Sequence, residues 1–344
     1  MLEKPDISPA KIAACLQAAY GVTAVQIIFL PLGADQNTAV YRIETNVETA
    51  YFLKLRSGVF DGTAVTLPQF LHDQGIRQIV TPLTTKTGQL WTTLDAFTAI
   101  LYPFVDGCNG RERKLSAAQW AEFGAALKKL HMLAVPPAIR ANLRQERYSP
   151  RWREMVKMFL GRVESDVYDD PVALDLAAFL QSRRAEILDL VQRAEQLADS
   201  LSGELLEFVL CHADIHASNV LVDGRDALYI VDWDDPMLAP KERDLMFIGG
   251  AQGFVGYNAQ EEETLFYRGY GQAAINWRTL AYYRCERIIE DIALFCEQLL
   301  LSNEGGQDRA QSLRYLVSNF LPNGTIEAAY RADKRIDLSY GGMK

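Results

Sequence analysis

The sequence predicts an α+β chain of two lobes, a small antiparallel-sheet lobe followed by a larger helical one. Three observations carry this reading. Short β-branched and aromatic runs separated by Gly, Asp and Asn fill residues 25–55, the pattern of an antiparallel meander. From Ser116 onward, apolar positions recur at helical spacing. The composition shifts near Phe104, which sets the expected lobes at 1–104 and 105–344.

Taken in order, Ser8, Pro9, the run KIAACLQAAY and Gly21 supply the N-cap, first-turn proline and terminal glycine of a helix. Residues 25–31, 38–45 and 50–55 read as strands. A helix-like stretch follows up to Gly75, with Pro68 in mid-pattern, and two further strands are expected near 89–94 and 97–102. Ser116 and Gln119 form a capping box for a helix through Leu133. Beyond it the strong strand signals are 206–211, 219–222 and 227–231. Asp223-Gly224, set between VLV and ALYIV, marks a hairpin. Asn219 and Asp232 then lie at the outer ends of two paired strands and are neighbours in space.

With 49% apolar and 23% charged residues, 344 positions suffice for one large core or two modest ones. A net charge of −9 and a pI of about 5.1 argue against nucleic-acid or anionic-membrane partners and favour a cationic ligand. No apolar run reaches membrane-span length, and the start MLEKPDIS lacks the order of a signal peptide. A cytoplasmic location is therefore expected. Cys15, Cys108, Cys211, Cys285 and Cys296 show no CxxC spacing, as expected of reduced thiols. Nothing in the pattern bears on oligomeric state.

The stretch Leu210 to Asp235, LCHADIHASNVLVDGRDALYIVDWDD, sets Asp214, Asn219, Asp232 and Asp234 beside runs of buried-strand character. Charges in such places are costly unless paired or bound to a metal. The order His-x-Asp-x-x-x-x-Asn, hairpin, Asp resembles the centre of protein-like kinases. There the first Asp accepts the acceptor hydroxyl's proton, while the Asn and second Asp hold magnesium against the nucleotide phosphates.

The HADIHASN and IVDWDD segments resemble the aminoglycoside phosphotransferase and choline kinase-like family of small-molecule kinases. The resemblance implies a protein-kinase-like fold, ATP or GTP as phosphoryl donor, and Mg2+. It implies Asp214 as catalytic base, Asn219 and Asp232 as metal ligands, His212 as a brace of the loop, and Asp244 as a structural contact at a helix start. Ala213 stands where regulated protein kinases carry an arginine for an activation-loop phosphate, which implies an enzyme that needs no such switch. WDDPMLAPKERDLMFIGG, YSPRWREMV and YYRCERIIEDIA are similar to one branch, the spectinomycin phosphotransferases. That similarity implies a cationic aminocyclitol or aminoglycoside acceptor and antibiotic inactivation.

In the N-terminal lobe the resemblance makes Lys54 the nucleotide lysine, against the plainer reading of an edge-strand lysine reaching water. It makes Gly33, Asn37 and Thr38, in the loop Leu32 to Thr38, phosphate contacts. Tyr102 and Phe104, at the lobe junction, wall the nucleotide base. The family's glutamate partner for the lysine is missing from DGTAVTLPQFLHDQ, residues 61–74, so either Asp61 substitutes from the helix start or the helix sits elsewhere. Asp234, Asp235, Glu290 and Asp291 are the expected acidic acceptor contacts.

Plainer and rival readings stand beside these. His131 on an apolar helical face reads as a core histidine and His72 as a surface one. Arg284, Glu286, Arg287, Glu290 and Asp291 are spaced for intrahelical ion pairs. A metal-dependent phosphohydrolase would use His212, Asp214 and His216 as alternating ligands on an extended chain, but it leaves Asn219 and Asp232 unexplained. A metabolic kinase of choline, a sugar or an amino-alcohol would carry the same motifs, whereas the presence of the lysine, the base and both metal ligands speaks against a nucleotide-binding module without catalysis.

Overall fold

The structure is a computed structural model that describes residues 4–33, 35, 37–47, 49–302 and 305–341, without the side chains of 307 and 337–341. The N-terminal region contains α1 (Pro9–Ala19), β1 (Ala24–Leu30), β2 (Thr38–Thr45), β3 (Ala50–Ser57), α2 (Thr63–Asp73), β4 (Thr92–Leu94) and β5 (Phe97–Pro103). On α1, Ser8 accepts the Lys11 N–H and Pro9 opens the helix, and Gly21 beyond it is left-handed with φ 74°. Pro68 lies inside α2 without ending it. The strand expected from 89 begins only at Thr92, because Thr85 N–H closes a turn onto Gln89 O at 2.7 Å.

These strands form one antiparallel sheet in the order β1-β2-β3-β5-β4. Side chains alternate across a strand. Leu53 and Leu55 of β3 therefore share a core with Tyr41, Ile43, Leu101 and the α1 residues Ile12 and Leu16. The intervening residues Lys54 and Arg56 take the other face, toward the rest of the chain. Lys54 pairs with Val40 on one side and Ile100 on the other; it is an interior-strand lysine, so the edge-strand reading fails.

Past β5 come β6 (Gly107–Asn109), α3 (Ala117–Met132), α4 (Pro137–Arg140), β7 (Arg144–Gln145), α5 (Arg151–Ser165), α6 (Pro171–Ser182) and α7 (Arg184–Leu201). Then follow β8 (Val209–Cys211), β9 (Val220–Asp223), β10 (Leu228–Ile230), β11 (Met237–Ala239) and α8 (Glu242–Leu245). Helices α9 (Ala259–Tyr270), α10 (Trp277–Leu300), α11 (Gly306–Ser318) and α12 (Thr325–Gly341) complete the described chain. The capping box at Ser116 and Gln119 is formed in both directions. Strands β6, β7 and β11 have no counterpart in the sequence pattern, since two or three residues display no period. They complete two small sheets, ordered β10-β9-β6 and β7-β11-β8.

Helix α10 runs through the C-terminal core and packs against α5, α7, α11 and α12. Helices α3 and α9 approach at backbone distance. A Cβ on Gly269 would lie 1.6 Å from Ala121 O, and one on Gly124 would lie 2.2 Å from Phe266 O. Among the described residues no helix is long and apolar enough to cross a membrane.

Candidate active site

The hairpin that presents the site is built as expected, with Val220 opposite Ile230. Its turn is wider than an Asp-Gly pair requires. The Asp223 N–H donates to Ala227 O at 3.0 Å, and the left-handed residue is Asp226, φ 67°. The Asp223 carboxylate holds this loop by accepting the Arg225 and Ala227 N–H groups at 2.8 and 2.9 Å. At the other end Val231 N–H donates to Asn219 O at 3.0 Å. That bond brings Asn219 beside the segment that carries Asp232.

Two chemistry-bearing turns contain non-glycine residues in the left-handed region, Ala213 at φ 70° and Asp232 at φ 65°. Such conformations are costly and persist only where their surroundings fix them. At Ala213 the fixing group is Asp244, which is wholly buried. It accepts the Ala213 N–H at 2.7 Å, the His212 N–H at 3.0 Å and His131 Nε2–H at 3.0 Å. Burial works to raise the Asp244 pKa, but these donors outweigh it and lower it. His212 Nδ1 accepts the Asp214 N–H at 3.2 Å, and its Nε2 donates to Val231 O at 3.0 Å. His212 thus ties the loop to the strand end. His131 also meets the Tyr270 hydroxyl at 2.7 Å and is a satisfied core histidine.

Asp214 projects from this turn. Its Oδ1 accepts from Arg287 Nη1 of α10 at 2.7 Å, and its Oδ2 lies 3.6 Å from His216 Nε2. Burial opposes ionisation of Asp214, yet Arg287 and then His216 more than offset it and lower its pKa. The Asn219 amide donates to Asp214 O at 2.8 Å, which leaves Oδ1 of Asn219 able to ligate a cation. His216 Nδ1 accepts the Ser218 N–H at 3.2 Å, so its proton resides on Nε2.

The second carboxylate group meets the sheet. Lys54 Nζ lies 2.8 Å from Asp232 Oδ1 and 2.7 Å from Asp234 Oδ2, and Arg56 Nη1 lies 3.1 Å from the same Asp234 oxygen. Displacement of water by the surrounding protein pushes the Asp232 pKa up, although its side chain keeps 45% of its surface exposed, but the Lys54 ammonium outweighs this and holds the carboxyl at about 2. Asp234 is shifted upward by burial, which its cations do not fully offset. Two carboxylates thus converge on one positive charge. Together with Asn219, whose backbone is bonded to Val231 next to Asp232, the donors are all hard oxygens and fit a magnesium-like cation.

The family model described as "Phosphotransferase enzyme family" matches residues 28–283. The chain belongs to this phosphotransferase family. Among solved structures, this phosphotransferase is similar to the spectinomycin phosphotransferase APH(9)-Ia in complex with ADP and spectinomycin. The two are 39% identical, with a TM-score of 0.90 over 96% of this chain and 99% of that one. An AMP-bound complex of APH(9)-Ia matches at 38% identity and a TM-score of 0.85, covering 94% and 98%. A choline/ethanolamine kinase family protein from Mesorhizobium loti shares the fold at 18% identity, with a TM-score of 0.54 over 94% and 98%. No curated protein sequence matches significantly.

The expected α+β, two-lobed, protein-kinase-like fold is therefore present in this phosphotransferase, an antiparallel-sheet N-terminal region joined to a helical C-terminal one. The structure places the other expected site residues as follows. Asp61 does not meet Lys54; its Oδ1 accepts the Thr63 N–H at 2.9 Å at the start of α2. Asp234, an expected acceptor contact, lies 2.7 Å from Lys54 Nζ. Asp235 is exposed and paired with Arg144 at 3.0 Å. Glu290 faces Arg243 at 3.7 Å and Asp291 meets Arg287 at 3.1 Å. Of the expected intrahelical ion pairs only Arg287 with Asp291 is formed among the described residues. Glu286 faces Arg153 at 3.7 Å, and Arg284 donates to the carbonyls of Met246, Ile248 and Ala328.

In the loop before β2, Gly33 is left-handed at φ 86°. The Thr38 hydroxyl donates to Asp35 Oδ2 at 2.7 Å and the Asn37 N–H to Asp35 Oδ1 at 2.8 Å, so both groups shape the turn. Ala34 and Gln36 of the same loop lie outside the described residues. Tyr102 and Phe104 flank the end of β5. Tyr102 packs against Phe52, and the Arg42 guanidinium lies 4.6 Å from the centre of the Phe104 ring. The phosphohydrolase arrangement does not form. Left-handed Ala213 breaks the alternation it requires, and His212 is committed to the backbone through both ring nitrogens. Among the described residues, His131, Cys211 and Asp244 form a group of three His, Cys, Asp or Glu side chains close enough to share a metal, all buried in the core behind the loop.

Sequence reasoning missed Arg56 and the true partner of Arg287. Arg56 was open to detection, since it follows Lys54 by two residues and shares its face of β3. Arg287 carried a signal only for its helical neighbour Asp291, four residues on.

Proposed function

We propose that the chain is an ATP- or GTP-dependent O-phosphotransferase that modifies a hydroxyl of a cationic aminocyclitol antibiotic, spectinomycin, and thereby inactivates it. The observation that carries this reading is its 39% identity to APH(9)-Ia over 96% of the chain. Residues 1–104 form the nucleotide-binding lobe and 105–344 the catalytic and acceptor-binding lobe, with the protein acting in the cytoplasm.

Asp214 accepts the hydrogen bond of the acceptor hydroxyl, orients it toward the γ-phosphate and takes its proton as the bond to phosphorus forms. Lys54 binds the α- and β-phosphates, with Asp234 holding its ammonium in place of the missing helix glutamate. Arg56 adds positive charge on the same face. Gly33, Asn37 and Thr38 shape the loop over the phosphates, and Tyr102 and Phe104 wall the base. Asn219 and Asp232 would hold magnesium, which when bound neutralises phosphate charge. His212 and Asp244 keep the turn that presents Asp214.

Glu290, Asp291 and Asp235 each face an arginine, so their attraction for an amine is weaker than their number suggests. Acceptor choice then rests on shape and hydrogen bonds as much as on charge. The test is a coupled nucleotide-turnover screen over spectinomycin, several aminoglycoside classes, choline and simple sugars. Turnover is expected with spectinomycin. Turnover confined to choline or a sugar would replace the antibiotic reading with a metabolic one, and none with any acceptor would remove the kinase assignment.

A further inference from the structure

We propose that Arg287 is a positioning residue for phosphoryl transfer: it holds one oxygen of the Asp214 carboxylate so that the other is presented to the acceptor hydroxyl. The proposal deepens the reading above and rests on Asp214 being the base.

A carboxylate on a short side chain turns easily about its last bond, because that torsion is broad. The loop that carries Asp214 does little to stop it. His216 Nε2 stands 3.6 Å from Oδ2, too far for a good hydrogen bond. Among the described residues, the hydrogen bond to this carboxylate comes from Arg287 Nη1, at 2.7 Å to Oδ1. The donor belongs to α10, and 73 residues separate the partners.

The guanidinium is itself held. Its Nε faces Asp291 Oδ1 at 3.1 Å, one turn further along α10. Asp291 Oδ2 in turn accepts from Asn319 Nδ2 at 3.4 Å, which anchors it to the residue that ends α11. The Phe247 ring centre lies 6.0 Å from the guanidinium carbon. The planar guanidinium is drawn by Asp291 on its Nε side, an ion pair without hydrogen-bond geometry, and turns its Nη1 edge to Asp214. A lysine ammonium, a point charge on a flexible stem, cannot do this. Arg287 is thus more than the intrahelical partner its spacing suggests. It sets which oxygen of Asp214 is engaged and, among the described residues, leaves Oδ2 without a hydrogen bond.

The experiment measures steady-state kinetics on the full chain with magnesium, nucleotide and the acceptor found in the screen. Arg287→Ala is expected to lower kcat by about a hundredfold, the scale of a small misplacement of reacting groups, with the KM for nucleotide unchanged. Added guanidinium ion is expected to restore part of that kcat, and to leave the wild-type and Asp214→Ala proteins unaffected. Wild-type kcat in Arg287→Ala overturns the proposal, and so does a loss that guanidinium fails to relieve. If Arg287→Ala does not fold, Arg287→Lys decides. A reduced kcat at unchanged nucleotide KM supports the positioning role, and full wild-type kcat overturns it. Lack of wild-type turnover with every acceptor sinks the proposed function itself and this inference with it, and is seen before any variant is compared.

Discussion

Lys54 on β3 and Asp234, 180 residues later, are joined by a contact of 2.7 Å between Nζ and Oδ2. Asp61, much nearer in sequence, accepts the Thr63 N–H at the start of α2 instead. Asp234→Asn is therefore expected to weaken nucleotide binding by roughly tenfold, about 1.4 kcal/mol, and Asp61→Asn to leave it unchanged. Isothermal calorimetry on both variants checks this. Equal weakening by the two would mean that Asp234 is not the anchor of Lys54.

Asp214 and Asp232 are predicted to fail in different ways. Asp214→Ala should lower turnover by about a hundredfold or more, the usual scale for a lost general base, while nucleotide still binds. Asp232→Ala should abolish the tightening of nucleotide binding by magnesium. The measurements are single-turnover kinetics for the first and calorimetry with and without magnesium for the second. A magnesium effect that survives in Asp232→Ala would move the cation elsewhere.

The close approach of α3 and α9 depends on Gly269, where a Cβ would meet Ala121 O at 1.6 Å. A backbone carbonyl cannot step aside as a flexible side chain can. Gly269→Ala should destabilise the fold by about 1–3 kcal/mol or more, the scale of overpacking. Thermal unfolding followed by circular dichroism reads this directly. An unchanged midpoint would show that the helix pair can separate freely.

Glu262 on α9 is buried and accepts the Gly249 N–H at 3.0 Å. Burial pushes its pKa from 4.5 up to about 7, despite that hydrogen bond and the Arg284 charge. The folded state therefore binds this proton more tightly than the unfolded chain does. Its stabilising share is complete below about pH 4.5 and is lost as pH rises toward 7. Glu262→Gln should remove that component, so the melting midpoint of the wild type should fall relative to the variant across this window. Parallel curves across it would refute the assignment.

What was legible in the sequence follows the range of each interaction. The meander showed itself through alternation, the α1 and α3 starts through caps within three residues, and the hairpin through Asp223-Gly224. The Asp214, Asn219 and Asp232 cluster was legible because the hairpin brings its members together within one short segment. The partners of Lys54 and Asp214 were not, since β3 meets Asp234, and α10 meets Asp214, only once the two regions and the long helix have packed. Asp61 is close to Lys54 along the chain, but a carboxylate two residues before a helical N–H is drawn to that donor first. Strands of two or three residues such as β7 and β11 exist through their neighbours and have no pattern of their own.

The buried Asp244 carboxylate also governs how the molecule opens. Its three donors belong to α3 and to the backbone of the loop before Asp214. Exposing the His212 or Ala213 amide to solvent requires separating that loop from the core. Active-site loops ordinarily belong to the least stable part of a protein and exchange their amide hydrogens quickly. Here those two amides should exchange as slowly as the interior of α3, in one cooperative unit with it. Motions that admit substrate and release product must then arise in segments outside that unit, while Asp214, the proposed base, moves with α3.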